Sequence, residues 1–375
     1  MNYVIAILYQ ATPSPIKNGI QKPMKPGGYS DSGADIACEL HSKGIKVCTP
    51  VDRPHIENDL DWVFPDTDDG IENAIRKGAK IFWLNTVLYK GHPIEKFFDR
   101  DLELVGQIPH QVDTYDDKWT TNKLLKAHGI LIPKTTLITE DNSKGYDQDL
   151  TFPVVVKPIR GRGSQGVSVV RDKNELDAKL ADLFSSRQYG SSLYIEQFLS
   201  GQEITITVMP PGDYYINGEN KHFEAPWCLP PVKRFNHKGG IAPYNGVVAV
   251  VENSALLDEK ERNSKEIKDA CHQCEKAAKL LNIKAPIRID CRAGEKGHYF
   301  LFDLNMKPNM TGPSRPHRKN QDSLSLLAAR GIGWNYLDLL KNMLRQRWKV
   351  SNLLTVNETV STPDTQVNKN NLDLP

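Results

Sequence analysis

The chain opens on an apolar run at residues 3–8, which reads as a buried strand. A Pro/Gly/Lys-rich loop follows over residues 12–28. Residues 32–42 then show helical spacing, with Ala34, Ala37, Cys38 and His41 on one side. Gly44 breaks that helix before a strand-like stretch at 45–51. Residues 70–77 predict a short helix and 80–85 a second buried strand. Strands alternating with helices imply a parallel sheet covered by helices. Such sheets hold ligands beyond the carboxyl ends of their strands, so the loops near Gln10 and at 85–91 become site candidates.

A new unit begins near Asp116. Residues 117–128 predict a helix through Trp119, Leu124 and Leu125, with Gly129 where a C-terminal cap belongs. Strands at 153–158 and 167–170 flank a glycine-rich loop at 159–166, and a helix at 173–185 leads to a strand at 193–199. Beyond Gly201 the pattern predicts strands at 203–209, 246–251, 286–290 and 299–304, and an amphipathic helix at 264–281. A last helix at 334–348 packs through Leu337, Leu340 and Leu344. The polar, aperiodic stretch after Trp348 reads as a flexible tail. The expected organisation is an N-terminal parallel α/β domain (1–115), a small lobe with the glycine-rich loop (116–199), a larger α+β lobe (200–349) and the tail (350–375).

Composition narrows the function classes. The 375 residues favour two to three domains at roughly 150 residues each. With 39% hydrophobic and 25% charged residues, the chain is neither disordered nor a disulfide-stapled miniature. Lys and Arg number 48 against 46 Asp and Glu, so the charge balance points to neither nucleic acid nor an anionic membrane. No apolar run approaches the ~20 residues that span a bilayer. The opening MNYVIAILYQ lacks the marks of a signal peptide. Six cysteines in a chain this long fit a reducing cytoplasm. A homodimer is the default assembly.

Two clusters carry candidate chemistry. Lys157 ends an apolar strand, and Gly161, Gly163 and Gly166 follow with Ser164 among them. Glycines let backbone N–H groups converge on an anion, the serine adds a donor, and the lysine meets a phosphate as a point charge. The lysine precedes the glycines and a strand follows them, so neither the Walker nor the dinucleotide fingerprint applies. A plain hairpin loop is the alternative. Farther on, Arg288-Ile289-Asp290 and Asp303-Leu304-Asn305 lie on two strands of period two, which puts Arg288 with Asp290 and Asp303 with Asn305. Two carboxylates and an amide oxygen suit Mg²⁺, which completes its shell with phosphates and water. A solvent-facing hairpin with an ion pair is the alternative there. Between the clusters, Glu196-Gln197-Phe198-Leu199 and then Glu203 set apolar residues between two acids, as a purine slot and a ribose contact require, with an edge strand with charged ends as the alternative. Cys271 and Cys274 fall on a helical stripe with Ile267, Ala270, Ala278 and Leu281 and read as core.

In this order the pieces resemble the ATP-grasp superfamily, and within it the D-alanine–D-alanine ligase-like carboxylate–amine ligases. The resemblance covers residues 117–340. It is strongest where Arg288-Ile289-Asp290 and the run from Phe302 to Ser314 match Arg-x-Asp and Glu-x-Asn-x-x-Pro-Gly-Met-Thr in register. It implies ATP held between two α+β lobes, with Mg²⁺, or Mn²⁺ in its place. Lys118 and Lys157 would touch the phosphates and the loop with Gly161, Gly163 and Gly166 would close over them. Glu196, Gln197, Phe198 and Leu199 would line the adenine slot, and Glu203 would take the ribose. Asp290, Asp303 and Asn305 would bind metal. Arg288, Ser164 and Ser314 are the catalytic candidates, Arg288 steadying the reacting carbonyl oxygen and Ser314 holding the second substrate's carboxylate.

The implied reaction joins a small carboxylate to an amine, both amino acids, through an acyl phosphate. No protein nucleophile is needed. D-alanine–D-alanine ligase proper, or a nucleotide-binding protein with reduced catalysis, are the alternatives. The chain departs from the pattern at Asp303 (Glu in the family), at Asn309 (Gly), and at Gly27-Gly28-Tyr29-Ser30-Asp31-Ser32, where an acid is missing from the last position. Glu224-Ala225-Pro226-Trp227 has Pro in place of Lys, for which Lys233, Arg234 or Lys238 would substitute.

Overall fold

A computed structural model describes residues 3–17, 19–142, 150–161, 163–237, 239–241 and 249–350. The expected tail past residue 350, Lys238 and the start of the expected strand at 246–251 lie outside the described residues.

The first region contains β1 (Val4–Tyr9), α1 (Ser30–Ser42), β2 (Phe64–Pro65), α2 (Asp68–Arg76), β3 (Ala79–Asn85), β4 (Glu103–Val105) and α3 (Pro109–Tyr115). The strands form a parallel sheet in the order β2-β1-β3-β4. β1 and the Ile81–Leu84 stretch of β3 are apolar because both faces of the sheet are covered there. The strand expected at 45–51 does not form. The segment only touches β1, through Ile5 N–H to Lys46 O and Cys48 N–H to Ile5 O, both at 2.9 Å. Farther along the same edge β1 pairs with β2, so neither neighbour has room to lengthen. α1 is buried nearly all round, and His41 alone of its predicted stripe is exposed.

A four-stranded antiparallel sheet follows, in the order β5-β8-β6-β7, from β5 (Thr135–Thr139), β6 (Val154–Pro158), β7 (Ser168–Val170) and β8 (Ser192–Gln197). α4 (Lys118–Ala127) precedes it, N-capped by Asp117, and α5 (Lys173–Ser185) packs Leu176, Leu180 and Leu183 into its core.

The last region is a six-stranded sheet ordered β14-β13-β9-β15-β16, with β12 also on β9. Its strands are β9 (Glu203–Met209), β12 (Trp227–Cys228), β13 (Val232–Arg234), β14 (Ser254–Leu256), β15 (Ile287–Ala293) and β16 (Tyr299–Asn305). The hairpin β10 (Gly212–Ile216) and β11 (Glu219–Phe223) stands beside it. Where a strand was expected at 246–251, Val250–Asn253 forms one helical turn, α6. Its Asn253 O accepts from Phe235 N–H, and the sheet position beside β13 goes to β14. α7 (Glu259–Asn263) leads to α8 (Lys265–Leu280), whose stripe of Ile267, Ala270, Cys274 and Ala278 is buried as its spacing requires. α9 (Leu324–Arg330) and α10 (Tyr336–Arg345) complete the region, the latter shorter than the expected 334–348. Trp348 then returns to the first sheet and exchanges two backbone hydrogen bonds with Leu104.

Candidate active site

The three sheets surround a cavity of about 500 Å³. Strand alternation builds its floor. On β15, Ile287, Ile289 and Cys291 point into the core while Arg288, Asp290 and Arg292 face the other way. β16 supplies the partners: Arg288 lies opposite Asn305 and Asp290 opposite Asp303. The pairing then skips Phe302, a bulge that lets Phe302 and Asp303 both line the cavity.

Each charge on this floor is answered. Asp290 accepts from Thr205 Oγ1 at 2.5 Å and from Arg288 at 3.2 and 3.3 Å. Asp303 accepts from the Lys118 ammonium, which α4 brings from 185 residues away in sequence. Burial pushes the Asp303 carboxyl up, but Lys118, then Lys157 and Arg288, outweigh it and hold it below its usual range. Across the cavity, Lys157 on β6 donates to Glu196 on β8 and stands 4.8 Å from the Phe302 ring centroid. For Glu196 burial wins, and its carboxyl lies above the usual value despite Lys157. Glu203 is buried beside His237, with Nε2 2.9 Å from its Oε2. Arg292 lies 5.3 Å from the Phe198 ring and donates to Gly240 O at 2.8 Å.

The lining includes Lys118, Lys157, Gly161, Gly163, Ser164, Glu196, Gln197, Phe198, Leu199, Glu203, Arg288, Asp290, Asp303 and Asn305. Two expected residues are not brought to it. Gly166, at φ +73°, serves packing: a Cβ there would meet Pro158 at 2.7 Å and Tyr189 at 2.9 Å. Ser314, whose N–H bonds Gly312 O and whose hydroxyl is buried, is not among the lining residues. Of the substitutes for the missing lysine, Arg234 lines the cavity whereas Lys233 pairs with Glu261 at 3.2 Å.

Sequence reasoning missed the far wall, formed by Lys22, Lys25, Tyr29, Asp31, Lys307 and Arg318. Lys25 donates to both Asp31 oxygens at 2.7 and 2.6 Å, and the Lys307 ammonium lies 3.1 Å from the Tyr29 ring centroid. Burial favours the neutral Asp31 carboxyl, but Lys25 and then Arg318 overcome this and hold it below its usual value. Arg318 donates to Asp35 at 2.9 Å. Gly28 closes this wall: at φ +56° it accepts from Gln10 N–H, where a Cβ would lie 1.7 Å from Gln10 O. The acid absent from the sequence pattern has a neighbour that does reach the cavity, Asp31.

A family model described as D-ala D-ala ligase C-terminus matches residues 124–345. The chain belongs to that family. The D-alanine–D-alanine ligase of Francisella philomiragia is 24% identical over 251 residues, 65% of this chain and 73% of the relative. D-alanine–D-alanine ligase A of Bacillus cereus is 26% identical over 239 residues, 63% and 69% of the two chains. The fold is shared with the ATP-complexed D-alanine–D-alanine ligase of Bacillus anthracis (TM-score 0.60, 16% identity, 96% of this chain and 100% of that one). It is shared equally with the Coxiella burnetii D-alanine–D-alanine ligase (TM-score 0.62, 13% identity, 96% and 97%). The chain is thus an ATP-grasp enzyme, an ATP-dependent carboxylate–amine ligase. No described helix is long and apolar enough to cross a membrane.

Proposed function

We propose that this enzyme joins two amino acids, with ATP clasped between lobes 116–199 and 200–349 and a divalent cation on the β15–β16 floor. The observation that carries this reading is the convergence of Arg288, Asp290, Asp303 and Asn305 with Lys118 and Lys157 around one cavity. Gln197, Phe198 and Leu199 form the edge that suits a purine, and buried Glu203 suits a ribose hydroxyl. Asp290, Asp303 and Asn305 present hard oxygen ligands, the donor set that Mg²⁺ or Mn²⁺ takes alongside phosphates. When bound, the cation would neutralise charge on the triphosphate.

The chain's own residues supply the rest. Lys118 and Lys157 would exchange their carboxylate partners for phosphate oxygens. The backbone N–H groups around Gly161, Gly163 and Ser164 would converge on the transferring phosphoryl group. The donor carboxylate attacks the γ-phosphate, ADP leaves, and an amine then attacks the acyl phosphate. Arg288, anchored by Asp290, donates to the oxyanion of the tetrahedral intermediate before phosphate departs. With Ser314 not among the lining residues, Arg318 and Lys307 are the cations that can meet a substrate carboxylate at the far wall, and Asp31 is the acid that can meet an ammonium.

A screen of phosphate release over pairs of L- and D-amino acids, with product mass detection, tests this. Amide product in step with phosphate is expected. The relatives' names make D-alanine the first pair. Background hydrolysis with every pair would remove the ligase reading, and phosphate transfer without amide would make the enzyme a kinase.

A further inference from the structure

A charged junction at the edge of the cavity, whose lining includes its Lys22 and Asp116, is not used by the reaction as described. Asp113 near the end of α3, Asp116 after it and Asp117 capping α4 face three cations from two separate loops. Arg160, at the stem of the glycine-rich loop, donates from Nη2 to Asp113 O at 2.9 Å. Its Nη1 lies 3.5 Å from Asp113 Oδ1 and 3.9 Å from Asp116, and its Nε is 3.8 Å from Asp117. From segment 12–28, Lys17 pairs with Asp113, and Lys22 pairs with Asp116 at 2.5 Å. Lys118 N–H also bonds Ile159 O at 3.1 Å, tying the loop stem to the start of α4.

Among the described residues, segment 12–28 is also held at its ends, by Gln10 Nε2 to Thr12 O at 3.1 Å, Gln10 N–H to Gly28 O at 2.8 Å and the Lys25–Asp31 pair. Its internal backbone bonds are the Lys17–Ile20 pair and Gly28 N–H to Lys25 O. The middle of the segment, at Lys17 and Lys22, is tied to the acids that also hold Arg160. Side-chain exposure of 13% for Arg160 and 7% for Asp113 shields the loop's half of this linkage from screening, while Lys22 at 21% and Lys17 at 36% are more open.

We infer that Arg160 is a positioning residue that couples the glycine-rich loop to segment 12–28 through Asp113 and Asp116. Ordering one loop then lowers the cost of ordering the other, and linkage makes the effect reciprocal. Nucleotide seated under the glycine-rich loop prepares the far wall, with its Lys22 and Lys25, before that wall is filled. The inference rests on the cavity being the nucleotide site.

Hydrogen exchange at the Lys17 and Ile20 amides, with and without ADP and Mg²⁺, provides the test. Neither residue lines the main cavity. In the wild type, saturating ADP is expected to slow their exchange by about 5-fold or more, the low end of typical coupling. Arg160→Gln should still bind ADP but lose the slowing. Arg160→Lys, which keeps the charge but not the forked reach, should recover only part of it. Slowing that is unchanged in Arg160→Gln, or absent from the ADP-saturated wild type, overturns the coupling. If Arg160→Gln fails to fold or to bind ADP, Lys17→Met decides: ADP affinity should persist with the slowing at Ile20 reduced to what the Lys22–Asp116 pair carries, and slowing of full wild-type size would overturn the proposal. A wild type that binds no ADP would instead overturn the nucleotide site itself.

Discussion

The cavity's two ends are made from different materials. Between the antiparallel sheets, side chains stand on β6, β8, β15 and β16, and strand alternation aims them. At the opposite end, Lys22, Lys25, Tyr29, Lys307 and Arg318 stand on loops. These are held by ion pairs to residues distant in sequence: Lys22 to Asp116 across 94 positions and Arg318 to Asp35 across 283. The strand-built end keeps its geometry through the sheet. The loop-built end keeps it through charge pairing.

The largest expected effect breaks the loop-built end. Arg315 is fully buried and donates to Asp35 at 2.9 Å, to Asp59 at 2.6 Å and to Asp31 O at 3.0 Å. Arg315→Met removes one side of that cluster, and removing one partner of a buried pair typically costs ~3–5 kcal/mol. The denaturant midpoint should fall accordingly. Next in size, Arg288→Ala should lower turnover by ~10²–10³, as loss of an oxyanion donor does, while nucleotide binding persists in a calorimetric titration. Lys157→Met should weaken nucleotide binding by roughly 10- to 100-fold, corresponding to the ~1.5–3 kcal/mol of a charged hydrogen bond.

The smallest effect is a pH slope. Lys25 holds the Asp31 carboxyl below its usual value against the effect of burial, so the folded state binds this proton less readily than the unfolded chain. Its stabilisation is therefore present above the unfolded value and is lost as pH falls through the depressed folded value. Asp31→Asn should show a shallower fall in stability between about pH 5 and about pH 2, followed by urea midpoints. An unchanged slope would mean that Lys25 does not hold the loop through Asp31.

The same contrast explains what could be read from the sequence. Strands β1, β3, β6 to β9, β15 and β16 were legible because local periodicity marks them, and the ATP-grasp class through its resemblance in motifs, whereas β2, β4, β5 and β10 to β14 are too short or too polar to stand out. Arg288, Asp290, Asp303 and Asn305 were legible because alternation put them on one face. The bulge that adds Phe302 leaves no mark in the sequence, since Phe300, Leu301 and Phe302 read as one apolar run. Residues 45–51 carry strand composition, yet edge competition on β1 decides their state. Ser314 fits its pattern in register, but register does not record whether a hydroxyl reaches the cavity. The far wall was hidden because no local pattern records that Lys22 meets Asp116 across 94 positions or that Arg318 meets Asp35 across 283.

The most direct test of the central claim is a crystal structure with Mg²⁺ and a non-hydrolysable ATP analogue. The account predicts the cation on Asp290, Asp303 and Asn305, with Lys118 and Lys157 moved from Asp303 and Glu196 to the triphosphate. A triphosphate bound away from this floor, with the Lys118–Asp303 pair intact, would contradict it.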